Sequence, residues 1–249
     1  MASSVLQVND LMGYDGLKIV QREDMFAFSL DSILLADFTH VYKKTARIMD
    51  FGTGNAPIPL FLSLKTDKPI VGVEIQSEAV DLARRSVSLN RLEDQVEIVE
   101  DDIKELHKRY ESSSIDLITC NPPFFKLAPD GGNTNALDAF TIARHEVKID
   151  LEGIVVQAKR LLSTLGVLTM IHRVDRLEEL IVLLNRHRFA IKRLRFVYPK
   201  RGKPAQAVLV EAFANGRPGG LRMADPLYVY EADGTYTEEV LGIFRTGKK

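Results

Sequence analysis

Short apolar runs rich in β-branched residues recur along the chain: "ARIMDF" at 46–51, "PIVGVEI" at 69–75, "QVEIVE" at 95–100, "SIDLITC" at 114–120, "GVLTMIH" at 166–172, then "KRLRFVYP" and "AQAVLVEAF". Each has the length of a buried strand. Between them lie stretches with apolar residues at helical spacing: "SEAVDLARRSVSLN", with Val80, Ala83 and Val87 on one face, "LEGIVVQAKRLLS" and "RLEELIVLLNRH". Strands that alternate with helices predict an α/β, doubly wound, mostly parallel seven-stranded sheet with helices on both faces. The last two runs are separated by "KRGKP", too short for a crossover helix, so they are expected to close the sheet as a C-terminal antiparallel hairpin.

The first 45 residues stand outside this alternation. "GLKIVQRE" reads as a short strand and "SLDSILLADFTH" as a short helix that Ser29 or Asp31 caps. Residues 1–45 are therefore expected to form a small N-terminal extension over the carboxyl edge of the sheet, covering a site there, with 46–249 as the main domain. The segment 126–146, "KLAPDGGNTNALDAFTIARHE", opens with turn residues and is the longest candidate loop, of the kind that often serves as a substrate lid.

Composition narrows the function classes. The chain has 249 residues, 45% of them hydrophobic, and a formal net charge of -1, which suits an ordinary globular domain. No run approaches the roughly 18–20 apolar residues of a membrane helix, and "MASSVLQVND" lacks the features of a signal peptide, so no membrane association and a cytoplasmic location are expected. A single cysteine excludes an internal disulfide, and five scattered histidines show no metal-ligand spacing; no metal is expected. The charge is unevenly spread. Arg186 to Lys203 carries eight Lys or Arg and no acid, so one end of the fold is expected to be electropositive.

The first strand runs into "DFGTGNAPIPL" at 50–60, where Gly52 and Gly54 allow a sharp turn and close approach of a ligand to the backbone. No Gly-Lys-Ser/Thr follows, which excludes a Walker loop, and Ala56 or Pro57 stands where a third glycine of the dinucleotide pattern would be. Glu74 ends the next strand about 20 residues on, the spacing at which a carboxylate meets ribose hydroxyls in such folds. After the third strand, Asp101 or Asp102 is placed to accept from an adenine amine, Asp102 being preferred because it directly precedes a helix. The fourth strand stops abruptly at "CNPPFF", 120–125.

Taken in order, "DFGTGNA", "VGVEI", "VEDDI" and "NPPF" resemble the motifs of class I S-adenosylmethionine-dependent methyltransferases that carry an Asn-Pro-Pro-Phe/Tyr signature. "FSLDSILLADF", "ARHE" and "VYPKRGKPAQAVLVEA" extend the likeness over nearly the whole chain to the bacterial tRNA (adenine-N6)-methyltransferases that act on valine tRNA. The resemblance implies a Rossmann-like fold and S-adenosyl-L-methionine as cofactor. It places Asp50, Gly52 and Gly54 near the methionine end, Glu74 on the ribose and Asp102 on the adenine, with Asp31 closing the site from the N-terminal segment and Asn121 bordering it.

An exocyclic base amine is a poor nucleophile because its lone pair is delocalised into the ring. Two acceptors that hold its N–H groups favour the pyramidal geometry needed for attack. Asn121 offers a side-chain carbonyl and Pro122 a backbone carbonyl, Pro123 stiffens the turn, and Phe124 presents a stacking face. Transfer then requires positioning and carbonyl dipoles, without a metal or covalent nucleophile. Cys120 lies on an apolar strand with no basic neighbour in sequence and reads as structural rather than as the nucleophile of a cytosine-C5 enzyme.

Arg193, Arg195, Lys200, Arg201 and Lys203 are the candidate RNA contacts of the basic run, with Arg144 of "ARHE" beside the pocket; a solvated charged face and a loop-anchoring arginine are the bland alternatives. The expected function is methylation of an exocyclic nucleobase amine, adenine N6 in tRNA. Guanine-N2 methylation of ribosomal RNA, glutamine-N5 methylation of a protein and a non-catalytic RNA-binding module are the alternatives. Oligomeric state is left open.

Overall fold

The computed structural model describes residues 6–11, 14–23, 29–122 and 150–245. An N-terminal ribbon, β1 (Leu6–Leu11) and β2 (Tyr14–Arg22), is antiparallel. It precedes α1 (Leu30–Phe38) and then the predicted alternation: β3 (Ile48–Phe51), α2 (Pro57–Ser63), β4 (Ile70–Glu74), α3 (Ser77–Leu89), β5 (Val96–Glu100), a 3-10 helix (Ile103–Lys108) and β6 (Ile115–Cys120). The second half holds α4 (Leu151–Leu161), β7 (Leu162–Arg173), α5 (Leu177–Arg186), β8 (Phe189–Tyr198) and β9 (Ala207–Ala214). It ends with β10 (Arg222–Met223), β11 (Leu227–Tyr228) and α6 (Glu238–Phe244).

The sheet runs β10-β8-β9-β7-β6-β3-β4-β5, with β11 also beside β8. β7, β6, β3, β4 and β5 are mutually parallel, and β9 is antiparallel to both β7 and β8. The seven strands read from the sequence are thus all present, as is the closing hairpin. Two further strands, β10 and β11, extend the outer edge of β8 in parallel. At two residues each they are too short to show any alternation, which is why the sequence pattern gave no sign of them.

Alternation along the strands sorts side chains into two cores. Ile48, Ile70, Leu117, Val167 and Leu209 face α1, α2, α3 and α6, whereas Met49, Phe51, Val73, Ile118, Met170 and Val210 face the 3-10 helix, α4 and α5. α1 is nearly all apolar and buried, which lets it lie against the sheet. Ser29 sits at its N-cap position without a side-chain cap bond and Asp31 lies in the first turn, so the cap expected from either residue is not made by Ser29. The other end is held by cations, which suit the negative end of a helix dipole. Lys65 Nζ donates to the carbonyls of Ala36, Asp37 and Thr39 at 3.0, 2.6 and 2.6 Å, and Arg193 donates to that of Phe38.

β2 lies along α3 rather than in the main sheet. Asn90 substitutes for a neighbouring strand: Lys18 N donates to its Oδ1 at 2.8 Å and its Nδ2 donates to Lys18 O at 2.6 Å. Ser86 Oγ accepts from Val20 N at 2.9 Å, and Asn55 Nδ2 donates to Val20 O at 3.0 Å. The ribbon is thereby tied to the glycine-containing turn after β3.

Candidate functional site

The carboxyl ends of the parallel strands bring most of the predicted residues to one edge. After β3 the chain turns through Gly52 (φ 66°) and Gly54 (φ 56°), both in the left-handed region that favours glycine. Among the described residues a Cβ at either position would meet nothing within 4 Å, so the requirement is conformational and these residues leave room for a ligand over the turn. Glu74, 6% exposed, braces this turn: its Oε2 accepts from Gly54 N at 2.9 Å and its Oε1 from Ile75 N and Gln76 N at 3.0 and 3.1 Å. Three of a carboxylate's roughly four acceptor positions are therefore occupied, leaving about one on Oε2.

Asp50 lies beneath the turn, fully buried, with Thr53 Oγ1 donating to its Oδ2 at 2.7 Å and Thr119 Oγ1 to its Oδ1 at 2.6 Å. Burial pushes its carboxyl up to about 7 and the nearby Glu74 charge adds to that, against the two hydroxyl hydrogen bonds, which lower it. Its direct partners are the two threonines, so it acts on the site's shape from below. Gly72, its neighbour on β4, has no room for a side chain: a Cβ would lie 2.9 Å from Thr53 and from Ile98 Cδ1.

Asp101 and Asp102 follow β5. Asp102 caps the 3-10 helix, its Oδ1 accepting from Lys104 N at 2.9 Å, while Asp101 Oδ1 accepts from Asp102 N at 2.9 Å and its Oδ2 lies 3.6 Å from Arg109 Nε. Both stand on the same edge as Glu74, one strand further from the glycine turn.

Asn121 and the buried Pro122 follow β6. Asn121 Nδ2 donates to Ser32 Oγ on α1 at 3.1 Å, and its Oδ1 is buried with no hydrogen-bond partner among the described residues. A buried acceptor without a donor costs about 1–3 kcal/mol, a penalty that a ligand N–H removes. The same contact brings the first turn of α1, and with it Asp31, to the end of β6. Burial raises the Asp31 carboxyl above its ordinary value. Cys120, 1% exposed, has its thiol pushed well up by burial and by Asp50, the opposite of what a nucleophilic thiolate needs. Pro123, Phe124, Arg144 and the loop 126–146 lie outside the described residues.

Two of the expected RNA contacts have partners within the fold. Arg193 stacks on the Phe38 ring at 3.8 Å and pairs with the buried Glu211 at 3.0 Å, and Arg195 is bound to Glu239 and, through Nε, to Asp225 O at 2.9 Å. The two side chains are half-buried strand residues with internal partners; the basic run is split by the alternation of β8, which the charge count alone does not show. Lys200, Arg201 and Lys203, by contrast, lie in the turn between β8 and β9, with Arg201 and Lys203 exposed.

Sequence reasoning also missed a polar rung. Asp50, Thr119, Thr169, Glu211 and Arg193 are register partners across five adjacent strands, all on the α1 face. Tyr42 donates to Glu211 Oε1 at 3.1 Å, while the buried Thr169 Oγ1 has no partner among the described residues. One polar residue at an inward position of each strand, as in "IMDF", "IDLITC" and "VLVEAF", was the available signal.

Among the described residues no group of His, Cys, Asp or Glu is placed to hold a metal ion, and no helix is long and apolar enough to cross a membrane.

Residues 19–187 match the family model for the methyltransferase small domain. The chain is 28% identical to a tRNA1(Val) (adenine(37)-N6)-methyltransferase of Tolumonas auensis, over 86% of each chain. It is 32% identical to the enzyme of that name from Porphyromonas gingivalis, over 77% of this chain and 75% of the relative. Among solved structures, a predicted O-methyltransferase from Agrobacterium tumefaciens superposes with a TM-score of 0.64 at 19% identity, covering 87% of this chain and 98% of its own; that likeness is one of fold.

Proposed function

The chain belongs to the methyltransferase small domain family and is an S-adenosylmethionine-dependent methyltransferase, and from that premise we propose that it methylates the N6 amine of an adenine in tRNA. The observation that carries this reading is the buried, unpartnered Oδ1 of Asn121 at the end of β6. Both relatives' names specify adenine 37 of a valine tRNA, which makes that nucleotide the first substrate to test. The setting is expected to be the cytoplasm.

The residues present fit the cofactor. The left-handed glycine turn leaves open space for the methionine part, Glu74 retains acceptor capacity for a ribose hydroxyl, and Asp101 or Asp102 supplies a carboxylate further along the edge. When bound, S-adenosylmethionine supplies a methyl group on a positively charged sulfur. The protein's part is to orient the nucleophile. Ser32 fixes the amide of Asn121 so that its carbonyl oxygen, not its NH2, is left for the substrate. Asn121 Oδ1 then accepts one N–H of the amine and the Pro122 carbonyl the other, turning the nitrogen lone pair out of conjugation. The same two dipoles stabilise the positive charge that develops on nitrogen, and the excess proton leaves to water after transfer. Phe124 is assigned the stacking face for the base.

The test is incubation of the purified protein with labelled S-adenosylmethionine and total RNA from cells lacking it, followed by nucleoside mass spectrometry. N6-methyladenosine is the expected product. Labelled methylguanosine would move the substrate to guanine N2, and label in protein alone would move it to a glutamine amide.

A further inference from the structure

The turn between β8 and β9 and the segment after β11 form one surface on the catalytic edge. β8 runs parallel to β7, so its carboxyl end points the same way as that of β6. Three strand spacings separate β8 from β6, about 14 Å. Leu194 is level with Cys120 through Val210 and Met170, so Tyr198, four residues on, overhangs the end of β6 by about 13 Å.

Backbone bonds fix the surface: Val229 N donates to Tyr198 O at 2.9 Å and Tyr230 N to Pro199 O at 2.8 Å. Tyr198 and Tyr228 pack with ring centroids 5.3 Å apart, and the Arg201 guanidinium lies 4.7 Å from the centroid of Tyr228. Tyr230 stacks on Tyr236 at 5.1 Å and 22°, and Tyr236 meets Phe244 edge-on at 5.3 Å. A concavity of about 440 Å³ is lined by Pro199, Lys200, Lys203, Gln206, Tyr230 and Gly234. No carboxylate lines it, and the nearby Asp233 is bound by Thr235 through both its backbone N–H and its hydroxyl. Tyr230 is 37% exposed, with one ring face on Tyr236 and the ring bordering the concavity.

We propose that this surface holds a single-stranded stretch of the RNA substrate a few nucleotides from the target base, with a base stacked at Tyr230 and phosphates at Lys200, Arg201 and Lys203. An aromatic ring supported from behind and set beside cations is the pairing that binds unpaired nucleotides with little regard to sequence. Gln206 supplies an amide able to meet a base edge. The inference rests on the tRNA reading above and deepens it by naming where the loop beyond the target is gripped.

The test measures methyl transfer to an unmodified valine tRNA transcript and its binding at several salt concentrations. Tyr230→Leu is expected to raise KM for tRNA roughly 5- to 100-fold, with kcat and S-adenosylmethionine affinity retained, while Tyr230→Phe keeps the wild-type KM. Lys200→Ser with Lys203→Ser is expected to reduce the slope of log affinity against log salt by about 1.4, the share of two single-strand phosphate contacts. Wild-type KM and salt slope in these variants would overturn the surface while leaving the methyltransferase reading intact. A wild-type protein that methylates no RNA nucleoside would overturn the tRNA reading itself, and with it this surface. If Tyr230→Leu does not fold, the pair of Lys200 and Lys203 in the turn decides the matter.

Discussion

Asn121 and Asp50 show how differently two buried polar side chains serve one edge. Asn121 keeps an acceptor in reserve, so Asn121→Ala is expected to lower methyl transfer by at least about 100-fold, on the scale of losing one oriented dipole, with S-adenosylmethionine affinity nearly unchanged by calorimetry. Retained transfer would remove Asn121 from the chemistry. Asp50 is sealed beneath the turn at 0% exposure, with a threonine hydroxyl on each oxygen. Its carboxyl, raised to about 7 mainly by burial, keeps its proton in the folded state while the unfolded chain, with the ordinary value of 3.8, gives it up. The folded state therefore binds more protons between these values. The stability this lends is complete below about pH 4 and is lost as pH rises towards 7. Urea midpoints across pH 4.5–8 should show Asp50→Asn flattening that decline relative to the wild type. The strand position of Asp50 and Asn121 was legible from the motifs, but the roles of Thr53, Thr119 and Ser32 were not, since a lone hydroxyl in an apolar run carries no sign of its partner.

Elements are joined here by single polar residues. Asn90 holds β2 to the end of α3 through both its amide groups, so Asn90→Ala is expected to cost about 1–3 kcal/mol and to speed hydrogen exchange at Lys18 and Val20 before the main sheet opens. Arg193 joins β8 to β9 and to the end of α1. Arg193→Ala leaves the carboxylate of Glu211, only 3% exposed, without its cation, and a loss of about 3–5 kcal/mol is expected in denaturant melts. Arg193→Ala with Glu211→Gln should recover part of it. The periodicity located each of these strands and helices, yet could not say that the N-terminal ribbon lies on α3, because its backbone is held there by single polar side chains, Asn90 and Ser86, that lie 72 and 66 residues along the chain from their partners.

At the scale of the whole molecule, charge is sorted by topology. The run 186–203 is uniformly basic in sequence, but Arg193 and Arg195 are half-buried on β8 with internal partners whereas Lys200, Arg201 and Lys203 are carried beyond it to the catalytic edge. Replacing the half-buried pair is therefore expected to lower stability and leave the salt slope of tRNA binding unchanged once folded protein is compared. Replacing the turn residues should do the reverse, which binding isotherms at 50–200 mM salt would separate. The parallel order also explains why the glycine turn, Glu74, Asp101, Asp102 and Asn121 meet: parallel strands deliver all their carboxyl ends to one edge.

What the sequence by itself determined is what depends on local pattern: the strand and helix alternation, the hairpin, the glycine turn, Glu74 at its interval and the Asn-Pro stop after the fourth strand. These are set by side-chain periodicity and backbone freedom, both of which are properties of neighbours in the chain. The tertiary structure alone decided which polar groups are used up and which remain. Glu74 is largely engaged by backbone amides, Asp50 by two hydroxyls and Arg193 by Glu211, while among the described residues the Asn121 side-chain carbonyl has no partner and the 200–203 turn keeps its exposed charge. A hydrogen bond or ion pair forms with whatever the fold brings within about 3 Å, and that partner is fixed by strand order and register, not by distance along the chain.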